Sequence, residues 1–358
     1  MNYPFALIYN QTMSHRVLLT GANGFIGSVI LEQLLKAGHS VRSVVRSSSK
    51  ANQILADFPN YGSKLDTAIV PDITTPGAFN EAVKSNPPFD TVIHTASPFL
   101  YRAIKDNSEF LNPAIHGTVE VLKSVKEFAP QVKRVVITGS CASVVNFAGD
   151  AFASPKKIYT EADWNPTTWE GALSGTPNNA YQASKKFAEK AAWDFLEKEK
   201  PNFDLVVLNP PMVYGPIRHT VPSVKDLNES NGRIYNLFIN TKKDDPLPPN
   251  GMHVYVDVRD LATAHLLAMT TPEASNKRFI ICAGQIRSQE ISDAIRAAVP
   301  AAESRTPIGT PGGNPLPETA YTCSSEEAKK VLGLTFRSKE ETFVDLANQL
   351  LEIESKTN

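Results

Sequence analysis

Residues 16–27 read RVLLTGANGFIG, and this stretch decides the fold. Apolar Val17, Leu18 and Leu19 make a short buried strand, glycines follow at 21, 24 and 27, and Val29, Ile30, Leu34 and Leu35 then recur at helical spacing. The stretch is therefore strand, phosphate loop and helix. Gly21 permits the tight turn, Gly24 lets a pyrophosphate approach backbone N–H groups, and Gly27 lets the helix sit close to the strand. Asn23 shares the loop, and Phe25 and Ile26 open the helix, whose N-terminus favours an anion. The spacing is G-x-x-G-x-x-G, and its position between a strand and a helix is what separates nucleotide binding from a structural turn.

Working outward, Ser40–Arg46 (SVRSVVR) alternates as a second strand and runs into SSSK. An NAD-specific site places an acid at the end of this strand, against the ribose 2′-OH. No Asp or Glu occurs between Glu32 and Asp57; Arg46 and Lys50 stand there instead. A guanidinium and an ammonium suit a 2′-phosphate, which points to NADP(H). Thr67–Ile73 (TAIVPDI) reads as the third strand, with Asp72 and Ile73 beside an adenine, although Asp72 also suits a turn cap before Pro76. Asp90–Ser97 (DTVIHTAS) is the fourth, ending in Thr95, Ala96 and Ser97, small residues that admit a cofactor; Phe99 follows as a pocket wall. Residues 112–129 have helical periodicity, and Arg134–Ser140 (RVVITGS) is a continuous apolar run of the kind buried on both faces of a parallel sheet. Five strands alternating with helices make an α/β, doubly wound parallel sheet of Rossmann type, with Gly21, Ala96 and Ser140 converging at the carboxyl ends of the strands.

Composition agrees with an ordinary globular protein and excludes other classes. The 358 residues are 42% hydrophobic and 20% charged with a net charge of −1, which leaves no basic field for nucleic acid. Cys141, Cys282 and Cys323 are odd in number and widely spaced, which fits a reducing cytoplasm and neither a disulfide framework nor a metal site. No segment reaches the roughly 18 apolar residues of a membrane span. Residues 1–13 read as a loose N-terminal extension.

The chemistry resides in Ser140, at the end of the fifth strand, and in Tyr181 and Lys185 of NAYQASKKFAEKAAW. Residues at i and i+4 share a helix face, so phenol and ammonium are neighbours. A free tyrosine has a pKa of about 10, and an adjacent cation lowers it. Ser140 holds a substrate oxygen beside the Tyr181 hydroxyl. A Y-x-x-x-K spacing alone is weak; the order of glycine loop, fifth-strand serine and Y-x-x-x-K is specific.

GANGFIG, VIHTASPF, RVVITGS, NAYQASKKFAEKAAW, LNPPMVYGP and VDVRDLATAH together resemble the extended short-chain dehydrogenase/reductase family, in its dihydroflavonol-reductase-like branch, and TEADWNPTTWE is similar to that branch's fungal ketoreductases. The resemblance covers nearly the whole chain after Met13. It implies an NADPH-dependent carbonyl reductase with Ser140, Tyr181 and Lys185 as the triad, Lys185 on the nicotinamide ribose, and Pro210 and Val213 at the nicotinamide end. One departure is Thr138-Gly139-Ser140, where relatives usually read T-S-S.

The remaining chain supplies a smaller, discontinuous lobe. The expected division is a Rossmann domain over 14–216 rejoined by 252–283, and a substrate lobe over 217–251 and 284–358. Cys141, Met212 and Ile217 are pocket candidates, as are Tyr235 and Phe238, although apolar residues at such spacings also make core. The partner is a small carbonyl compound, and the chain is a monomer or homodimer. Competing readings on the same fold are a nucleotide-sugar epimerase or dehydratase and a non-catalytic NADP(H) sensor. Intact Tyr181 and Lys185 argue against the sensor.

Overall fold

The structure, a computed structural model, describes residues 14–97, 105–147, 149 and 156–357. The expected extension over 1–13 and Phe99 lie outside the described residues. In chain order the strands are β1 Arg16–Thr20, β2 Ser40–Val45, β3 Leu65–Ile69, β4 Thr91–His94, β5 Arg134–Thr138, β6 Ile158–Tyr159, β7 Asp204–Asn209, β8 Met212–Tyr214, β9 Val254–Asp257, β10 Lys277–Ile280, β11 Gly284–Gln285 and β12 Thr322–Cys323.

Seven of them form one sheet in the order β10-β7-β5-β4-β1-β2-β3, and every pairing in it is parallel. The order reverses direction between β1 and β4, so a crevice opens at their carboxyl ends. Both faces of the sheet are covered. Val17, Leu19, Ile93, Val136, Val206 and Leu208 face the helices Phe25–Lys36 and Val258–Thr270, while the intervening Leu18, Val92, Val135, Ile137, Leu205 and Val207 face Ser108–Phe128 and Pro177–Glu199. Side chains alternate along a strand, so covering both faces demands the unbroken apolar runs seen in the sequence.

Several boundaries differ from the sequence reading, the fourth strand ending at His94 rather than Ser97 for one, and two of the differences follow from local hydrogen bonds. The third strand ends at Ile69 rather than Ile73. Beyond it, the Asp72 carboxylate accepts from the N–H and hydroxyl of Thr74, which turns the chain away from the sheet. The helix expected from residue 112 begins at Ser108 and carries Pro113 inside it. Asp106 accepts from the Ser108 N–H and starts the helix earlier than the periodicity suggested.

Strands β8 and β9 pair in parallel and β9 pairs antiparallel with β11, so this second sheet draws only on residues after Asn209. The helices Ser288–Ala298 and Lys339–Thr357 and the π-turn Tyr235–Ile239 pack on it, around Tyr255, Ile295 and Phe343. Arg218 ties this region back to the first helix, donating to Glu32 at 2.6 Å with its guanidinium 4.5 Å from the centre of the Phe58 ring. Among the described residues no helix is long and apolar enough to cross a membrane.

Ile93 is fully buried in β4, between β1 and β5. Ile93→Ala is expected to lower unfolding free energy by about 2–5 kcal/mol, read from the urea midpoint; a loss well below that range would contradict the packing described.

Candidate active site

The carboxyl ends of β1 to β5 build the site. At β1, Gly21 takes φ +70°, and a Cβ there would stand 2.7 Å from Thr95 Oγ1 and 2.9 Å from the Ala96 nitrogen. A Cβ on Gly27 would stand 2.2 Å from the Gly21 carbonyl oxygen, so this glycine lets the helix close on the loop itself. Gly24 is the N-cap of the helix Phe25–Lys36, and no side chain caps it. The first-turn N–H groups are therefore left for an anion.

Thr20 Oγ1 accepts from the Thr95 and Ala96 N–H groups at 3.2 and 3.1 Å, so its own proton goes to His94 Nδ1 at 2.9 Å. Burial, followed by the charge of Lys185, pushes the His94 pKa down to about 4, so the ring is neutral. The neutral imidazole thus fixes the start of the Thr95–Ser97 loop without adding charge to it.

These elements enclose a cavity of about 560 Å³. Of the residues singled out from the sequence, Gly21, Asn23, Gly24, Arg46, Asp72, Ile73, Thr95, Ala96 and Ser97 line it. Phe25, Ile26, Gly27, Lys50, Tyr181, Lys185, Pro210 and Val213 are not in its walls. Lys50 instead occupies the first turn of the helix Ser48–Asp57, where its N–H donates to the Ser47 cap. The lining also includes Val44, Val45 and Pro113, which the sequence reading missed. Val44 and Val45 were legible as the end of a parallel strand; Pro113 was not, because only tertiary packing brings that helix to the crevice. A second cavity of about 730 Å³, lined by residues between Val224 and Asn240, holds none of the expected cofactor or catalytic residues.

Tyr181 and Lys185 lie in the helix Pro177–Glu199, begun by Thr176, whose side chain accepts from the Asn179 N–H, and by Pro177. The Lys185 ammonium is 5.3 Å from the centre of the Tyr181 ring and donates to Ser97 Oγ at 2.8 Å. This bond joins the helix to the cavity wall. Burial lowers the Lys185 pKa to about 8. Ser140 follows β5 and opens a short turn, Cys141–Ser143, that packs against the same helix. Its Oγ already accepts from the Ala142 N–H at 3.1 Å, so its hydroxyl proton remains to be donated elsewhere.

The pocket candidates separate. Cys141 is buried in an apolar cluster with Val144, Val145 and Tyr159, lines neither cavity, and burial pushes its thiol well above the ordinary range. Met212 is half-buried on β8, and buried Ile217 is clamped by Gln349, which accepts from its N–H and donates to its carbonyl. Phe238 is core, and Tyr235 is mostly buried with its hydroxyl donating to Glu354.

Gly21→Ala would force a side chain into left-handed backbone and onto Thr95, at about 1–3 kcal/mol. The expected result is a matching loss of pyridine-dinucleotide affinity in a tryptophan-fluorescence titration, and unchanged affinity would remove the loop from the binding site.

Comparison with known proteins agrees with this geometry. The profile of the NAD dependent epimerase/dehydratase family matches residues 17–283. A ketoreductase of Aspergillus niger, azaE, is 41% identical over 344 residues, covering 95% of this chain and 99% of that protein. The NADPH-dependent methylglyoxal reductase GRE2 of Saccharomyces cerevisiae is 36% identical over 345 residues, covering 95% and 99%. The crystal structure of yeast methylglyoxal/isovaleraldehyde reductase Gre2 complexed with NADPH superposes with a TM-score of 0.85 at 36% identity, over 95% of this chain and 99% of that one. A parallel sheet with an uncapped glycine loop at its switch point, and a family profile spanning that sheet, place this chain in the NAD dependent epimerase/dehydratase family, the extended short-chain dehydrogenases/reductases.

Proposed function

We propose that this chain is an NADPH-dependent reductase that converts aldehydes and ketones to alcohols. The observation that carries the reading is the Lys185–Ser97 hydrogen bond, which holds the Tyr181-bearing helix face against the cavity lined by the glycine loop. The relatives' activities as a ketoreductase and an NADPH-dependent methylglyoxal reductase support it, and they speak against epimerisation.

The chain's residues fit the cofactor. Gly21, Asn23 and Gly24, with the first-turn N–H groups of Phe25, Ile26 and Gly27, would hold the pyrophosphate. Arg46 lies in the cavity wall with no carboxylate anywhere on β2, which suits a 2′-phosphate and repels nothing. Lys50, in the first turn of the following helix, lies outside the cavity wall and would act only through its charge at a distance. Asp72 and Ile73 would border the adenine, with the Asp72 carboxylate oriented by the Thr74 N–H and hydroxyl. Thr95, Ala96 and Ser97 would lie along the middle of the cofactor, Lys185 on the nicotinamide ribose, and Pro210 and Val213 at the nicotinamide end. The chemistry NADPH supplies when bound is hydride donation to the carbonyl carbon.

The protein's own part is proton transfer and orientation. The Tyr181 phenol donates its proton to the substrate oxygen, and the Lys185 ammonium stabilises the phenolate left behind. Ser140 donates its remaining hydroxyl proton to the same oxygen and fixes its position. Met212 and Ile217 would wall the substrate.

Three experiments test this. Purified protein should oxidise NADPH only when a carbonyl compound such as methylglyoxal is present, followed at the reduced-nicotinamide absorbance band. Tyr181→Phe should lower turnover by about 10²–10⁴-fold while leaving NADPH affinity unchanged; near-native turnover would defeat the assignment. Arg46→Asp should shift preference from NADPH toward NADH by about 1.5–3 kcal/mol, and an unaltered ratio of the two kcat/KM values would show that Arg46 does not read the 2′-phosphate.

A further inference from the structure

A chain of buried polar contacts runs from the Ser140 turn into the interior. The Ser140 backbone N–H donates to Asn209 Oδ1 at 2.8 Å. Asn209 is the last residue of β7 and is 1% exposed. Its Nδ2 donates to the two carboxylate oxygens of Glu189 at 3.4 and 3.3 Å. Glu189, also buried, is gripped by Arg278, whose Nε and Nη2 donate at 2.7 and 2.9 Å. Arg278 in turn donates to the carbonyls of Glu161 and Asp163, and its guanidinium lies 3.7 Å from the centre of the Trp164 ring.

The direction of this chain is determined. A carboxylate paired with a guanidinium only accepts, so the Asn209 amide must turn its Nδ2 toward Glu189. Its oxygen is then forced toward the Ser140 N–H; the flipped amide would set donor against donor and acceptor against acceptor. Space is provided for it. A Cβ on Gly139 would stand 2.2 Å from Asn209 Oδ1 and 2.9 Å from Val207 Cγ1, so the glycine leaves the volume that the carboxamide fills. Glu189 follows Tyr181 and Lys185 on one helix face, each an i+4 step from the last. One face of one helix thus carries the phenol, the ammonium and the carboxylate that orients the amide beneath Ser140.

We propose that Asn209, held by Glu189 and Arg278, is a positioning residue that sets the Ser140 backbone so that its hydroxyl meets the substrate oxygen, acting through Ser140 and touching no substrate itself. This rests on the role given to Ser140 above.

The test is a double-mutant cycle of Ser140→Ala and Asn209→Ala, with methylglyoxal and NADPH, beside hydrogen–deuterium exchange of the cofactor-free proteins. Asn209→Ala should lower kcat by about tenfold to a hundredfold, leave the NADPH dissociation constant within about twofold, and speed exchange in the peptide spanning Thr138–Ser143. In the Ser140→Ala background the same change should alter kcat by less than about twofold. Losses that multiply in the double variant, or unchanged exchange at Thr138–Ser143, would overturn the proposal. Native kcat in Ser140→Ala alone would instead overturn the Ser140 assignment, so the two failures are distinct. Should Asn209→Ala not fold, Glu189→Gln carries the same cycle, because it removes the obligate acceptor at nearly constant size; the same non-additive pattern is expected, and multiplying losses overturn the proposal.

Discussion

A parallel sheet buried on both faces leaves nowhere for polar chemistry except the strand ends, and the site depends on that constraint. The interiors of β1, β4, β5 and β7 are apolar, and their last residues are Thr20, His94, Thr138 and Asn209. Each has a hydrogen-bond partner from another part of the chain. Thr20 donates to His94, and Asn209 accepts from the Ser140 N–H. Thr138 pairs with His265 Nε2 at 2.7 Å, and since His265 Nδ1 faces the Leu261 carbonyl, the ring donates there and accepts from Thr138. Both histidines sit near pKa 4 because burial disfavours their charge, so they orient loops without adding cations beside Lys185.

Charge at the site is then concentrated in few groups. Lys185 is desolvated by its surroundings and has Ser97 as a neutral partner, and among the described residues no carboxylate forms an ion pair with it. Glu189, the buried carboxylate linked to Ser140 through Asn209, is committed to Arg278. A buried pair of this kind is weak evidence for stability, since desolvation offsets most of its attraction. Its effect here is directional: it fixes which way an amide points.

The glycine loop, the serine at the end of β5 and the Tyr–Lys pair were legible in sequence because each is local: a short apolar run, a fixed spacing, or one helical turn. The substrate side was less legible. Phe238 had the composition of a pocket wall and is packed as core, because apolar side chains at helical spacing look alike in either role, while Cys141, which reads equally as a small buried hydrophobe, is packed as one. Lys50 was grouped with Arg46 by sequence proximity, yet Ser47 caps a helix there and Lys50 stands outside the cavity wall.

Sequence alone determined the doubly wound sheet, the order of its elements and the types of group at its edge, since these follow from periodicity and from what each residue can do conformationally. The tertiary structure decided which polar groups meet. Ser140 and Asn209 are separated by 69 residues, and Lys185 and Ser97 by 88. Such pairs arise only when parallel registers bring strand ends level and a helix is packed across them. The physical reason is that a hydrogen bond needs its partners within about 3 Å, a distance that packing sets and sequence spacing does not encode.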